Sequence, residues 1–318
     1  MRFLMTTFML MEVYAIVAMS LNLLLGVAGR FSAYEAALMG VGAYTAALLA
    51  TKLGLSLFWG CVAGAAMGAL IGTSFQIAAR HMDFFTFNIT SFAFQMALYE
   101  TLLKWRGVTA GSFGIFNIPR PEIAGFSFTT LEAYLAFTTA CAAVIMGLLL
   151  YIERSTFALA LRGLRDGEKA LQSLGKNTFA LKLKVFAISG AATGFAGGLL
   201  AGLTRTIHPS MFFVYLSVIL MVFVVAGGRG NLRGSVVAVF LLILLEQAIT
   251  LIPGIPTSQI GALQRLFYGI VLVAVIMFRP NGLLPESPIF ARARFPGIKP
   301  VEDGFAFLGR TRSRESTL

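Results

Sequence analysis

Long apolar runs alternate with short polar stretches along most of this 318-residue chain. The runs fall at about 3–27, 33–51, 55–79, 84–104, 131–152, 185–204, 213–227, 235–252 and 262–278. A helix rises about 1.5 Å per residue, so about 20 apolar residues cross the hydrocarbon core of a bilayer. Lipid satisfies no backbone group, so each such run must close its own hydrogen bonds as a helix. A β-barrel needs segments alternating polar and apolar, and stretches such as "LLILLEQAITLI" and "AAVIMGLLLYI" show no alternation. The pattern therefore predicts an all-α, polytopic membrane protein of about nine helices, within a range of eight to ten. The run 213–227 is short and 33–51 contains Glu35, so these two set that range. The first run exceeds the apolar core of a cleaved leader and is expected to stay as a helix.

Composition agrees: 58% of residues are apolar and 12% charged, with a mean hydropathy of +0.83. A soluble fold could not cover that much apolar surface. The net charge of +11 would suggest nucleic acid in a soluble domain, but no nucleic-acid motif accompanies it. Instead 14 of the 25 basic residues lie in two segments, 153–184 and 279–318. Loops rich in Lys and Arg face the cytoplasm, which places both segments, and with them the C-terminus, inside. Extending the alternation leaves the N-terminus outside, or inside if one early segment is re-entrant. The expected organisation is a membrane domain over 1–286, interrupted by the cytoplasmic loop 153–184, then a basic tail over 287–318. Cys61 and Cys141 sit in apolar runs and suggest neither a disulfide nor a metal framework.

The loop 153–184 is unusual among connections between membrane helices. Phe157, Leu161, Leu164, Leu171 and Leu174 recur at helical spacing and predict one apolar face. Asp166-Gly167 is a turn signal that should split the loop into two short helices, and Gly175 suits the cap of the second. A basic interfacial helix on anionic lipid and a docking elbow for a cytosolic partner fit this pattern equally well. The elbow reading rests on Arg165, Asp166, Glu168, Lys169, Ala170 and Gly175.

Polar residues inside apolar runs are costly, and so are candidates for function. Glu12, Arg30, Ser32, Glu35, Asn88 and Glu246 are candidates for lining or gating a pathway. An Arg30–Glu35 pair near a helix start is the structural alternative for those two residues, and helix-packing hydrogen bonds are the alternative for Asn88. Gly227, Gly228 and Gly230 are a candidate hinge. The runs "GCVAGAAMGALIG" and "SGAATGFAGGLLAG" have small residues four apart, a spacing that permits close helix packing. The loop residue His208 is a candidate contact on the outer face.

Several stretches carry a family resemblance. "EKALQSLG" resembles the loop with which permeases of ABC importers engage their ATPases. "SLNLLLGVAGRFS", "FALALRGLRDGEKALQSLGKN", "FAISGAATGFAGGLLA", "VVAGGRGNLRGSVVA" and "LFYGIVLVAVIMFRPNGLLPE" resemble, in order, the branched-chain amino-acid permeases of the LivH/LivM family across roughly residues 15–286. The resemblance implies an inner-membrane permease, itself no enzyme and holding no cofactor. Its partners would be two cytosolic ATPases, a sister permease or second copy, and a periplasmic solute-binding protein. No G-x-x-x-x-G-K-[ST] is present in the chain, as expected where ATP is used by partner subunits. Arg30, Tyr34 and Glu35 stand where the family usually has Gln and a His-Ala-Ala run, and Ala110-Gly111 replaces its Gly-Gly. These departures leave the solute open between a branched-chain amino acid and another small polar molecule such as urea. The alternative to an importer is an ion-coupled secondary transporter or channel working through Glu12, Glu35 or Glu246.

Overall fold

The structure is a computed structural model that describes residues 2–123, 126–128, 130–250, 257–279 and 282–286. Contacts divide the chain into Met1–Pro285 and Glu286–Leu318, and residues 287–318, expected as a basic tail, lie outside the described residues. Among the described residues a helix of fourteen residues or more occupies each of the nine apolar runs. These are α1 (Arg2–Asn22), α2 (Glu35–Lys52), α3 (Leu57–Ala78), α4 (Phe84–Lys104), α6 (Leu131–Glu153), α9 (Thr178–Thr204), α10 (Val214–Gly227), α11 (Leu232–Thr250) and α12 (Thr257–Phe278). A one-turn helix α5 (Arg106–Thr109) and a two-residue antiparallel hairpin, Glu122–Ile123 with Phe126–Ser127, lie between α4 and α6. The elbow consists of α7 (Thr156–Asp166) and α8 (Glu168–Ser173). Among the described residues, five segments are both long and apolar enough to cross a membrane: Arg2–Val27, Leu57–Ala78, Leu131–Glu153, Thr178–Thr204 and Pro209–Gly227. The others carry polar side chains, such as Gln95 on α4 and Glu35 on α2, that bond to neighbouring helices.

One boundary differs from the pattern reading. The spacing placed Lys182 and Lys184 in a loop ending at 184, yet α9 begins at Thr178. Asn177 starts it, accepting a hydrogen bond from the Ala180 amide at 3.0 Å, the usual N-cap arrangement. Lys182 is tolerated inside this helix because its ammonium meets Glu168.

α1 and α9 form the centre, with most of their apolar lengths buried, whereas α3 and α6 bury a third or less of theirs. The outward side chains of the peripheral helices, among them Phe85, Ile89, Val144 and Ile270, are large and apolar, as a lipid-facing surface requires. Without a hydrophobic drive between helices in lipid, close backbone packing holds them together. The small-residue runs supply it. A Cβ on Gly68 would lie 2.1 Å from the Gly190 carbonyl oxygen, and one on Gly194 would lie 2.2 Å from that of Gly64. Gly42 joins the same seam from α2, so α2, α3 and α9 approach at backbone distance.

The antiparallel contacts sort the connections into two ends. One end holds residues 23–34, the elbow, the 228–231 turn and residues 282–284, joined by bonds such as Arg165 to the Gly26 carbonyl and Leu283 N to the Ala226 carbonyl. The other holds residues 53–56, 105–123 and 205–213, joined by the paired backbones of Ile115 and Ile207 and by Glu122 N to Ser56 Oγ. α2, with 18 residues, runs about 27 Å from the first end to the second.

Candidate functional site

The elbow is built by local signals and then tied to the membrane core. Ser155 caps α7 by accepting from the Ala158 amide. The chain breaks between α7 and α8 at Gly167, as the Asp166-Gly167 signal predicts, and Gly175 ends α8 with φ +74°. That left-handed backbone suits glycine, and nothing lies within 4 Å of a Cβ added there, so the requirement is conformational rather than spatial. Ala158, Leu161 and Leu164 are buried, with Phe157 and Leu171 packed against the core. Leu174 departs from the predicted apolar face: it is 76% exposed. The break at Gly167 interrupts the helical period, so α8 turns Leu174 outward, together with Lys169, Ala170 and Ser173.

Glu168 is an internal link. Its Oε2 accepts from the Arg30 guanidinium at 2.9 Å and its Oε1 from the Lys182 ammonium. The Glu168 carboxylate is 32% exposed, against 16% for Arg30 and 8% for Lys182. Burial pushes the Glu168 carboxyl up, but the bond and charge of Lys182, helped by Arg30, outweigh it and hold the group below its ordinary value of 4.5. The Arg30–Glu35 pair, the structural alternative for these residues, does not form. Arg30 instead bonds Glu168, 138 positions away, and lies over the Phe87 ring at 5.7 Å. A second tether runs from the Arg165 guanidinium to the Gly26 carbonyl at 2.6 Å, with the Arg165 side chain passing over Gly29. Asp166 is exposed and paired with Arg165 at 3.2 Å.

Both tethers reach the segment that leaves α1. There the helix widens into a π-turn, Leu23–Val27, a feature frequent at functional sites. Just before it, buried Asn22 serves as a junction. Its two Nδ2 hydrogens are shared among the Gly228 carbonyl (3.1 Å), the Asn231 carbonyl (3.0 Å) and Ser235 Oγ (2.8 Å). Its Oδ1 accepts from the Gly230 amide at 2.9 Å. The candidate hinge Gly227, Gly228 and Gly230 is thus clamped by Asn22 on one side and by the Leu283 and Leu284 amides on the other. Sequence reading missed Asn22 by attending to ionisable groups; a buried amide at the end of an apolar run was the available signal.

The remaining candidates are distributed rather than convergent. Glu35 is fully buried and accepts from Thr193 Oγ1 at 2.8 Å, and Thr193 in turn bonds Ser20 Oγ at 2.8 Å. This polar chain links α1, α2 and α9. Ser32 is buried beside it. Glu12, also buried, faces Thr139 of α6. Glu246 accepts from the Tyr268 hydroxyl, between α11 and α12. Asn88 is half-buried on α4, where its backbone carbonyl accepts from Ser91 Oγ at 2.8 Å. Gln95, another residue missed from sequence, accepts from the Ala37 amide at 2.9 Å and donates to the Phe212 carbonyl at 3.0 Å. With Ser217, which accepts from the Ala36 amide at 3.1 Å, it satisfies the buried first turn of α2. His208 is half-buried at the opposite end from the elbow and bonds Ser210.

A helical membrane body whose short amphipathic elbow is bonded into its central helices defines a class, the permease subunit of a transporter. The chain belongs to the family described as "Branched-chain amino acid transport system / permease component", whose model matches residues 3–276. It is similar to the Escherichia coli K12 high-affinity branched-chain amino acid transport system permease protein LivM, 28% identical over 303 residues that cover 86% of this chain and 68% of the relative. Two Methanocaldococcus jannaschii proteins are also similar, each at 23% identity. One is a probable branched-chain amino acid transport permease LivM, covering 70% of this chain and 66% of the relative, and the other a probable LivH, covering 76% and 79%. No solved structure matches the chain. It is a transport subunit, and in this class ATP hydrolysis belongs to separate subunits.

Proposed function

We propose that this chain forms half of the membrane pathway of an ATP-driven importer for branched-chain amino acids or a closely related small polar solute. The observation that carries the reading is the elbow: two short helices present Lys169, Ala170, Ser173 and Leu174 outward while Glu168 and Arg165 fasten them to the α1–α2 connection. A force applied to the exposed face then reaches α1, α2 and α9 through charged bonds. In this reading Arg154, Arg162, Arg165, Lys169, Lys176 and Lys184 mark the elbow end, and the C-terminus with it, as cytoplasmic in a bacterial inner membrane. Two ATPases grip the elbows of this chain and of a sister permease or second copy, and a periplasmic binding protein delivers solute at the opposite end. The clamped Gly227–Gly230 turn acts as a fulcrum. The names of the matched relatives support the solute class. The carboxylates on which an ion-coupled transporter would rely, Glu12, Glu35 and Glu246, sit at three separate helix interfaces, an arrangement that offers no relay between them.

Proteoliposomes test the proposal. Uptake of radiolabelled leucine should require the sister permease, the ATPases, the binding protein and ATP together, and Gly175→Val should abolish it without changing the helical content of the protein. Concentrative uptake by this chain alone, driven by an ion gradient, would refute the importer reading.

A further inference from the structure

Two opposite charges stand near each other inside the helical body, toward the end opposite the elbow, without pairing. Glu246 lies four residues before the end of α11 at Thr250, and Arg265 about 12 Å along α12 from its start at Thr257. Among the described residues no ion pair joins them or takes either one. Each is held instead by a tyrosine. The Glu246 carboxylate accepts from the Tyr268 hydroxyl of α12, and the Arg265 guanidinium lies over the Tyr215 ring of α10 at 5.5 Å. Both charges are within electrostatic reach of the Tyr215 hydroxyl, which is enclosed and has no hydrogen-bond partner.

The surroundings are aromatic. Tyr14 of α1 and Tyr268 flank Phe223 of α10, with ring centroids 6.4 and 5.9 Å away, so α1, α10, α11 and α12 meet beside the two charges. Glu246 is half-buried and Arg265 exposed. A guanidinium presented to hydrocarbon at this depth is costly, so this face borders water or another subunit rather than lipid. Gly261 and Gly269 stand one turn to either side of Arg265 on the same helix face, with open space where a Cβ would lie. Nothing on its own helix therefore crowds the guanidinium. The unmatched Tyr215 hydroxyl adds polar capacity that the protein itself does not use.

We infer that Glu246 and Arg265 form a subsite for a free α-amino acid, Glu246 receiving its ammonium group and Arg265 its carboxylate. The solute's apolar side chain is left to the surface around Leu266 and Phe267. The inference rests on the importer reading, which makes this chain half of the pathway, and it deepens that reading by naming the solute as a zwitterion. A carboxylate and a guanidinium held apart by separate tyrosines present one acceptor of positive charge and one fork of donors for a carboxylate. A neutral solute such as urea has no use for that separation. The zwitterion bridges two charges that the fold keeps unpaired, and with Arg265 open to its surroundings the site holds it weakly enough for onward passage.

The test uses the complete importer in nanodiscs without its binding protein, so that solute meets the membrane subunits directly. Saturation-transfer NMR compares leucine with leucinamide, which lacks the carboxylate, and with N-acetylleucine, which lacks the ammonium group. The unaltered complex should bind leucine about tenfold or more tighter than either analogue, the cost of leaving one charged partner unmatched. Arg265→Gln should remove the preference over leucinamide and keep the preference over N-acetylleucine, and Glu246→Gln should do the reverse. In proteoliposomes with ATP and the binding protein, both variants should lower leucine uptake about tenfold or more, with the sister permease and ATPases still co-purifying. Equal binding of all three compounds to the unaltered complex overturns the proposal without recourse to any variant. So do variants that leave both preferences intact. Loss of the sister permease from the Arg265→Gln complex would assign that residue to a subunit contact, and this too overturns the proposal. If the unaltered complex shows no ATP-dependent uptake, the importer reading itself fails; normal uptake without discrimination among the three compounds sinks the subsite alone.

Discussion

Replacing Glu168 with Gln removes the carboxylate that Arg30 and Lys182 share, while keeping the size of the side chain. Both cations are largely buried, at 16% and 8% exposure, so each is left without its counter-charge in a poorly hydrated place. Exposed pairs contribute about 0–1 kcal/mol and breaking a buried pair costs about 3–5 kcal/mol; with Glu168 one-third exposed, the latch falls between, at about 2–3 kcal/mol. At 1.4 kcal/mol per tenfold, that is a shift of about 30- to 150-fold toward the unlatched elbow. The assay is amide hydrogen exchange of residues 156–175 in nanodiscs, read beside ATP-coupled uptake. Exchange in α7 and α8 should rise by that factor while α9 beyond its first turns is unchanged. Lys182→Met should also loosen the elbow, and the double variant should cost less than the two single changes added together, because the Lys182–Glu168 bond can be lost only once and only Arg30 is then left without its counter-charge. Acidity supplies an independent check. The Glu168 carboxyl is held below 4.5, so the latch is fully formed above that value and is lost as pH falls through the lower folded value. Elbow exchange, corrected for its intrinsic rate, should therefore stay flat from about pH 8 to about pH 5. Unchanged protection in Glu168→Gln, or strictly additive single effects, would refute the latch.

Other variants separate the remaining contacts. Leu174→Asp should leave the melting temperature unchanged, since that side chain is mostly exposed, yet lower ATPase co-purification at least severalfold; normal co-purification would remove Leu174 from the docking face. Gly68→Leu would place a Cβ 2.1 Å from the Gly190 oxygen and should destabilise the detergent-solubilised protein by about 3 kcal/mol. Gly147→Leu, with open space around it, should be neutral in the same melt. Asn22→Ala orphans the Gly230 amide and loosens the 228–231 turn, at a cost of about 2–3 kcal/mol. That loss should appear as faster exchange at residues 228–235, and equal exchange would deny Asn22 its role as a junction.

Much of the helical layout was legible because it follows from the chain's interaction with its solvent. In lipid a run of about 20 apolar residues has helix as its satisfied state, so the nine runs could be read without knowing any contact. The elbow's break and its terminal glycine were equally local, being set by turn and capping chemistry at Asp166-Gly167 and Gly175. The readings that failed depended on distance. Arg30 and Glu35 are close in sequence, but the backbone between them is irregular and only Glu35 enters a helix, where it turns to Thr193. Lys182 looked like a loop residue because its partner Glu168 reaches it only through the fold of the elbow.

By itself, then, the sequence determined a helical membrane protein, the approximate place of each helix and an amphipathic elbow, because hydration and local backbone preference act residue by residue. Tertiary structure decided which polar groups meet: Asn22 with the Gly228–Asn231 turn, Gln95 with the first turn of α2, and Glu168 with Arg30 and Lys182. A polar group in a membrane interior must find a partner, but periodicity does not say which. Only the packing of helices far apart in sequence chooses it.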